Sequence, residues 1–367
     1  MAITGFSKRF SREIDALQYF SLIGHDIKKD PKLAQITDNE RAIVREDIQC
    51  PSCAALNATI VSGAKGHRNI TLRQPHFRFI DIHGNESHHE FCDLKTIKPF
   101  KDKTSNYQSF TFSQSNSHIT RVIGDLISKA LTNRIIKTSD IIEFRHWHFN
   151  IKKNNIVHLD FTADKIFTYQ VYRLRKDLDI QSALSPVISG DSVINKLALD
   201  MVIANDQSTL KKITNQTDFN FRRRDIEKLR NHIGKPIFDV RKLVNEYFSV
   251  ITLGNAMLDS FRAPLHGIKD TSILQAFCGL LLYINKWNIE ESINMCNEII
   301  HCKKCDNNEL GNIIGLNPFY KFELYSALLN INEVAPELPT QRQLDESMIK
   351  TVEIILNLEK SVTPPVR

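Results

Sequence analysis

Four of the chain's seven cysteines fall into two Cys-x-x-Cys pairs, Cys50-Pro-Ser-Cys53 and Cys302-Lys-Lys-Cys305. A thiolate is a soft metal ligand, and two of them in one tight turn make half of a tetrahedral zinc site. The stretch Gly84-Asn85-Glu-Ser-His88-His89-Glu-Phe-Cys92 can supply the other half. His88 or His89, together with Cys92, would complete a Cys₃His set around a structural zinc. His76 is a rival imidazole. The residues between the two halves suit a small ribbon of strands, and Gly84-Asn85 marks a reversal before the second half. An odd cysteine count behind a first segment with no apolar leader argues against a disulfide framework. No βαβ pattern surrounds the first pair, so a thioredoxin-like redox role is disfavoured.

Cys50-Pro-Ser-Cys53, a basic variable stretch, Pro75-His76-Phe77-Arg-Phe79 and His88-His89-Glu-Phe-Cys92 together resemble the zinc-ribbon-type front module of competence-protein CoiA-like bacterial proteins. Cys50, Cys53 and the His76-Phe77 pair carry the match, which covers about residues 48–95. The resemblance implies a bacterial protein acting in DNA uptake, mobile-element biology or defence against foreign DNA; a cytoplasmic location is expected from the first segment's want of an apolar leader. In that family a nuclease-like segment with a Glu-x-Gln or Glu-x-Lys strand often follows, and no such copy stands downstream here.

Overlapping positions allow a different chemistry. Phe77–Asp81 and Phe91–Lys95 could be neighbouring strands presenting Asp81, Asp93 and Lys95. Two carboxylates and a lysine so placed would hold Mg²⁺ and activate water, as metal-dependent nucleases do. Such acidic-x-Lys triplets are common by chance; Asp26-Ile-Lys28 is another. An HNH-type nuclease would need a second Cys-x-x-Cys soon after His88-His89, and none occurs before residue 302. There Cys296, His301, Cys302 and Cys305 could form a second metal site, although helical spacing turns Cys296 toward the core with Ile293 and Ile300. His146 and His148 would share one side of a strand and could bind metal; packing of Trp147 and Phe149 is the simpler account of that segment.

Charge points toward polyanions. The chain carries 48 Lys and Arg against 42 Asp and Glu, a formal net charge of +6. Residues 211–242 hold ten of those basic residues and four acidic ones, also +6, so the excess is local. Arg222, Arg223, Arg224, Lys228 and Arg230, flanked by Phe219 and Phe221, form a candidate nucleic-acid contact: Arg grips phosphate bidentately and Phe stacks on unpaired bases. A solvated helix face with i, i+4 pairs is the plainer alternative.

The elements that must position these groups read as an α+β chain. The expected order is an N-terminal helical segment (1–46), a zinc-ribbon-like β module with a linker (47–117), a mixed segment (118–190) and a mostly α-helical body (191–367). In the first, Ile14, Leu17, Phe20 and Ile23 recur at helical spacing, and Asp38 could cap a second short helix. Ala58–Val61, Asn69–Leu72 and Phe77–Ile82 read as strands. A periodic helix is expected over 118–136. Segment 141–175 fits either strands or a helix followed by strands. Helices are expected over 191–205, 222–232, 238–249, 271–285, 289–301 and 345–360. The longest oily run, Ile273 to Ile284, is too short to span a bilayer, so no membrane association is expected. No phosphate-binding glycine loop, dinucleotide fingerprint or nucleophile elbow is present. The expectation is a nucleic-acid-associated zinc protein, with a nuclease or a helical protein-interaction scaffold as alternatives and a protein partner conceivable.

Overall fold

A computed structural model describes residues 4–65, 71–81, 83–92, 94–95, 109–111, 118–175, 191–216, 230–260, 272–303 and 314–362. In chain order the elements are β1 (Thr4–Ser7), β2 (Arg12–Asp15), α1 (Ala16–Leu22), α2 (Asp38–Asp47), β3 (Ile48–Gln49), β4 (Ala58–Val61), β5 (Ala64–Lys65), β6 (Thr71–Arg73), β7 (His76–Phe79) and β8 (Ser109–Thr111). There follow α3 (His118–Thr132), α4 (Thr138–Asn154), β9 (Ile156–His158), α5 (Ala163–Arg173), α6 (Asp191–Asn205), α7 (Gln207–Thr214) and β10 (Pro236–Phe238). The chain continues through α8 (Val244–Ser260), α9 (Ser272–Ile284), α10 (Ile289–His301), β11 (Ile314–Leu316), α11 (Phe322–Val334) and α12 (Gln341–Val362). This is an α+β protein with small antiparallel sheets toward its N-terminus and a helical body.

Two compact units emerge, each built from two separated stretches. The first comprises 1–155 and 242–320, the second 156–241 and 321–367. In the first unit, the front of the chain forms a module with a core of its own. Tyr19, Phe20, Leu33, Val44, Ile48, Cys50, Phe77 and Phe79 are all buried there. Helices α3, α4, α8, α9 and α10 pack on one another in the same unit, with α9 at the centre. The second unit joins the β9–β10 ribbon to α5, α6, α7, α11 and α12.

The expected helical lead is in part a hairpin. Strands β1 and β2 pair antiparallel, Thr4 with Asp15 through Ser7 with Arg12. Ile14 therefore lies in a strand and shares no helix face with Leu17 and Phe20. The switch falls at Asp15, whose carboxylate caps α1 in a box with Gln18; this relieves the orphan amides of the first turn. Thr37, not Asp38, caps α2, boxed with Glu40. Strand β3 continues directly from α2 and pairs with β1. The sheet is so tight at Gly5 that a Cβ there would lie 2.4 Å from Ile48 Cγ2.

Segment 141–175 resolves as helix, short strand, helix. Because α4 is a helix, His146 and His148 diverge from each other rather than facing one way. Trp147 stacks on Phe144 and also meets Tyr283 and Trp287. Arg145 reaches back to the front module. Its guanidinium lies 2.5 Å from Glu13 of β2, with both side chains buried, and Thr4 donates a second hydrogen bond to the same carboxylate. A lone buried charge would be strongly unfavourable, so this pair fixes α4 against the hairpin.

Candidate metal centre

Placement of the first Cys-x-x-Cys follows from strand pairing. Gln49 faces Phe6 across β3 and β1, so Cys50 enters its turn from a fixed strand end. The Cys50 carbonyl accepts from Ala54, and the Cys50 amide donates to the carbonyl of Ala55. Ala54 and Asn57 take left-handed backbone conformations, which fold the turn tightly enough for the amides of Ser52 and Cys53 to point at the Cys50 sulfur, 3.4 and 3.5 Å away. Such N–H groups stabilise a thiolate and hold its direction.

The second half arrives along β4 and β7, which pair Ala58 with Phe79 through Val61 with His76. Beyond β7 the chain reverses at Gly84, where φ is +81°. Asp81 organises this reversal. Its carboxylate accepts from the amides of His83 and Asn85, both at 2.8 Å, and from the Asn85 side chain. These donors, the Asn85 amide foremost, hold the carboxyl below the usual Asp range. Ser87 then bonds back to Phe79, and the His88 ring comes edge-on to Phe79 at 5.0 Å.

The result is one cluster. Among the described residues, Cys50, Cys53, His88 and Cys92 form the only group of three or more His, Cys, Asp or Glu that could hold a metal ion, with all ligand atoms within 4.8 Å of one another. Sulfurs of Cys50 and Cys92 are 3.8 Å apart. His88 Nδ1 lies 3.5 Å from the sulfurs of both Cys53 and Cys92. A tetrahedral ion with bonds of about 2.3 Å to sulfur and about 2.05 Å to nitrogen sets neighbouring sulfurs about 3.8 Å apart, and sulfur and nitrogen about 3.6 Å apart. The cluster matches both spacings. A disulfide needs about 2.05 Å, and all six described cysteines are free.

Electrostatics favour a cation at this point. Hydrogen bonds from the Cys50 and Cys92 thiols pull the Cys53 thiol far below its ordinary range, with His88 and the backbone of His89 adding to the effect. Burial, and then Cys53, push Cys50 well up. At Cys92, hydrogen bonding to Cys50 works downward, but the bond to Cys53 and burial prevail and push it up to about 12. Ionising all three thiols side by side is opposed by burial and by their mutual repulsion. A divalent cation supplies the charge that lets all three ionise together.

The remaining candidates separate clearly. His89 stays outside the cluster. Its Nδ1 accepts from the Phe91 amide, and its ring meets Phe91 and Phe149. His76 is buried, bonded through Nδ1 to the Gln74 carbonyl, so it is a packed residue beside Phe77 and no ligand. Lys95 is half-buried beside Leu94, Asp81 is committed to its turn, and Asp93 lies outside the described residues. Cys296 is fully buried on α10, and burial pushes its thiol up to about 12. His301 is exposed and bonded to Asn297. Cys302 caps α10; Cys305 lies outside the described residues, as do Arg222, Arg223, Arg224 and Lys228. Arg230 is described and exposed, in a helical backbone conformation.

His146, paired with His148 in the sequence reading, has a different setting. His146 on α4 feels the Cys53 charge, although burial and then Arg145 dominate and lower its pKa. Only the packing of α4 on the front module brings it there, and nothing in the local sequence signals it. Among the described residues no helix is long and apolar enough to cross a membrane. No family model, curated protein or solved structure matches the chain.

Proposed function

We propose that this is a nucleic-acid-associated zinc protein. In this reading Cys50, Cys53, His88 and Cys92 hold a structural zinc that fixes the front module. The basic stretch with Arg222, Arg223, Arg224, Lys228 and Arg230 supplies phosphate contact. The observation that carries the reading is the agreement between the cluster's sulfur and nitrogen spacings and those of tetrahedral zinc. A closed set of three sulfurs and one nitrogen leaves no position for substrate, so the ion's role is architectural rather than catalytic. The local +6 of residues 211–242 supports the nucleic-acid half. The resemblance of residues 48–95 to CoiA-like front modules extends the reading to a bacterial role in DNA uptake, mobile-element biology or defence, in the cytoplasm.

Two measurements test it. Elemental analysis of the purified chain should give one zinc, lost in Cys50→Ser and kept in Cys302→Ser. Binding to labelled single- and double-stranded DNA should weaken steeply with salt. Replacing Arg222, Arg223 and Arg224 by Ala should flatten the slope of log K against log salt on duplex by about 0.9 for each phosphate no longer neutralised. A chain that binds no DNA or RNA at low ionic strength ends the nucleic-acid half and leaves the zinc half standing. That outcome would favour a protein-interaction scaffold, for which the exposed Ile349, Ile354, Leu356 and Leu358 of α12 offer a surface.

A further inference from the structure

Away from the metal cluster, the front module contains an imidazole gripped from both sides. His25 follows α1, with its ring edge-on to Phe20. Its Nδ1 lies 2.7 Å from Glu40 Oε1, and its Nε2 lies 3.4 Å from Asp30 Oδ2. An ionised carboxylate can only accept. A neutral imidazole can donate through just one nitrogen, which would leave the other lone pair aimed at a negative oxygen. Satisfying both contacts requires the doubly protonated ring.

Each carboxylate also organises backbone. Asp30 accepts from the amides of Ala34 and Gln35, at 2.9 and 2.7 Å. Glu40 accepts from the Thr37 amide at the start of α2. The chain between them forms a strap. Leu33, fully buried with a left-handed backbone, and Ile36 plug into the same core as Cys50 and Cys92. The strap is tied to the end of β4, where Gly63 donates to the Lys32 carbonyl and Ser62 to the Leu33 carbonyl.

We propose that His25, Asp30 and Glu40 form a proton-dependent latch that closes residues 26–36 over the core of the front module when His25 is charged and releases them when it is neutral. Release frees the apolar plug of Leu33 and Ile36. Among the described residues, Asp30 and Glu40 are the charged groups that act on the ring. Burial opposes the charged ring, but the hydrogen bonds and charges of Glu40 and then Asp30 outweigh it and raise the His25 pKa above 6.5. For a raised group, the stabilisation is fully present below the unfolded value and is lost as pH rises through the folded one. Burial also opposes the charged carboxylates. The Ala34 and Gln35 amides at Asp30, the Thr37 amide and hydroxyl at Glu40, and His25 at both nevertheless lower them. Their contribution is present above about pH 4 and fails in acid. The latch is closed between those limits and opens on the alkaline side.

Hydrogen exchange on the full chain tests this between pH 6.5 and 9, after correction for intrinsic exchange rates. The Ala34 and Gln35 amides should lose protection ten-fold or more as pH rises, while amides of α9 keep theirs. In His25→Gln the two amides should show the same low protection at every pH. An NMR titration of the unaltered chain should give a His25 midpoint above 6.5, with both ring nitrogens protonated at pH 6.5. A midpoint at or below 6.5, strap protection that does not change with pH, or a parallel loss of protection in α9 would each overturn the latch.

Discussion

Cysteine does two different jobs within the first compact unit. In the front module, Cys50, Cys53 and Cys92 converge on one imidazole, and backbone amides aim at the Cys50 and Cys92 sulfurs. In the helical part, Cys278 of α9 is fully buried beside Met257. Burial first, then Cys296, pushes its thiol far up. The same side chain is a candidate metal ligand where donors and polar groups surround it and a small hydrophobe where oil surrounds it. The interiors differ accordingly. Helix α9 buries an unbroken run from Ala276 to Leu282 and needs no polar partner. The front module is thin, with strands of two to four residues, and relies on point ties: the cysteine cluster, the Glu13–Arg145 pair and the capping boxes.

Removing the metal should break this comparison most severely. Structural zinc contributes on the order of 10–16 kcal/mol in small zinc-binding peptides. Chelation, or Cys50→Ser, should therefore unfold the front module, seen as loss of hydrogen-exchange protection over β1–β7. Cys278→Ala should cost only ~1 kcal/mol by denaturant unfolding and leave the metal content unchanged. Equal losses at the two sites would mean that the cluster is ordinary core.

Next in size is the buried ion pair. Arg145→Leu strands the Glu13 carboxylate and should cost ~3–5 kcal/mol. The double variant Glu13→Leu with Arg145→Leu should recover part of that loss, because no charge is then left alone. A double variant worse than the single would show that the pair itself, and not the stranded charge, is what matters. Smaller again is Gly5→Ala. Its Cβ would overlap Ile48, one residue before the Gln49–Cys50 turn, and thermal unfolding should register ~1–3 kcal/mol of overpacking.

What the sequence disclosed follows the same division. Long apolar periodicities stated themselves: α10 falls on 289–301 as expected, and α9 on 272–284 against an expected 271–285. A wide apolar stripe has one cheap way to be buried. The candidate cluster was partly legible, because two cysteines three apart in a turn and a His-Cys pair four apart carry their chemistry in their spacing, although spacing left His76, His88 and His89 as alternatives. The β1–β2 hairpin was hidden. Its strands are four residues long, and Ile14 happens to continue the spacing of α1. The interleaving of the two compact units was also invisible, because periodicity reports what is near in sequence and carries nothing about residues 1–155 closing with 242–320. His146 belongs with these: its electrostatic link to Cys53 depends on where α4 packs.

The finest test separates the two adjacent imidazoles, which spacing alone leaves equivalent. His88 presents Nδ1 to two sulfurs and is buried, whereas the His89 ring turns outward to Phe91 and Phe149. What His89 gives the cluster is a backbone hydrogen bond to Cys53, and that survives any side-chain change that keeps the turn. His89→Ala should therefore keep one metal per chain and cost under ~1 kcal/mol, the loss of an exposed ring packing. His88→Ala should lose the metal or bind it far more weakly, because three sulfurs alone leave the fourth tetrahedral position open to water. Metal titration against a chromophoric chelator reads both variants on one scale. If His89→Ala releases the ion as readily as His88→Ala, the side chain that faces Phe149 must swing inward, and the assignment of Nδ1 of His88 as the fourth ligand fails.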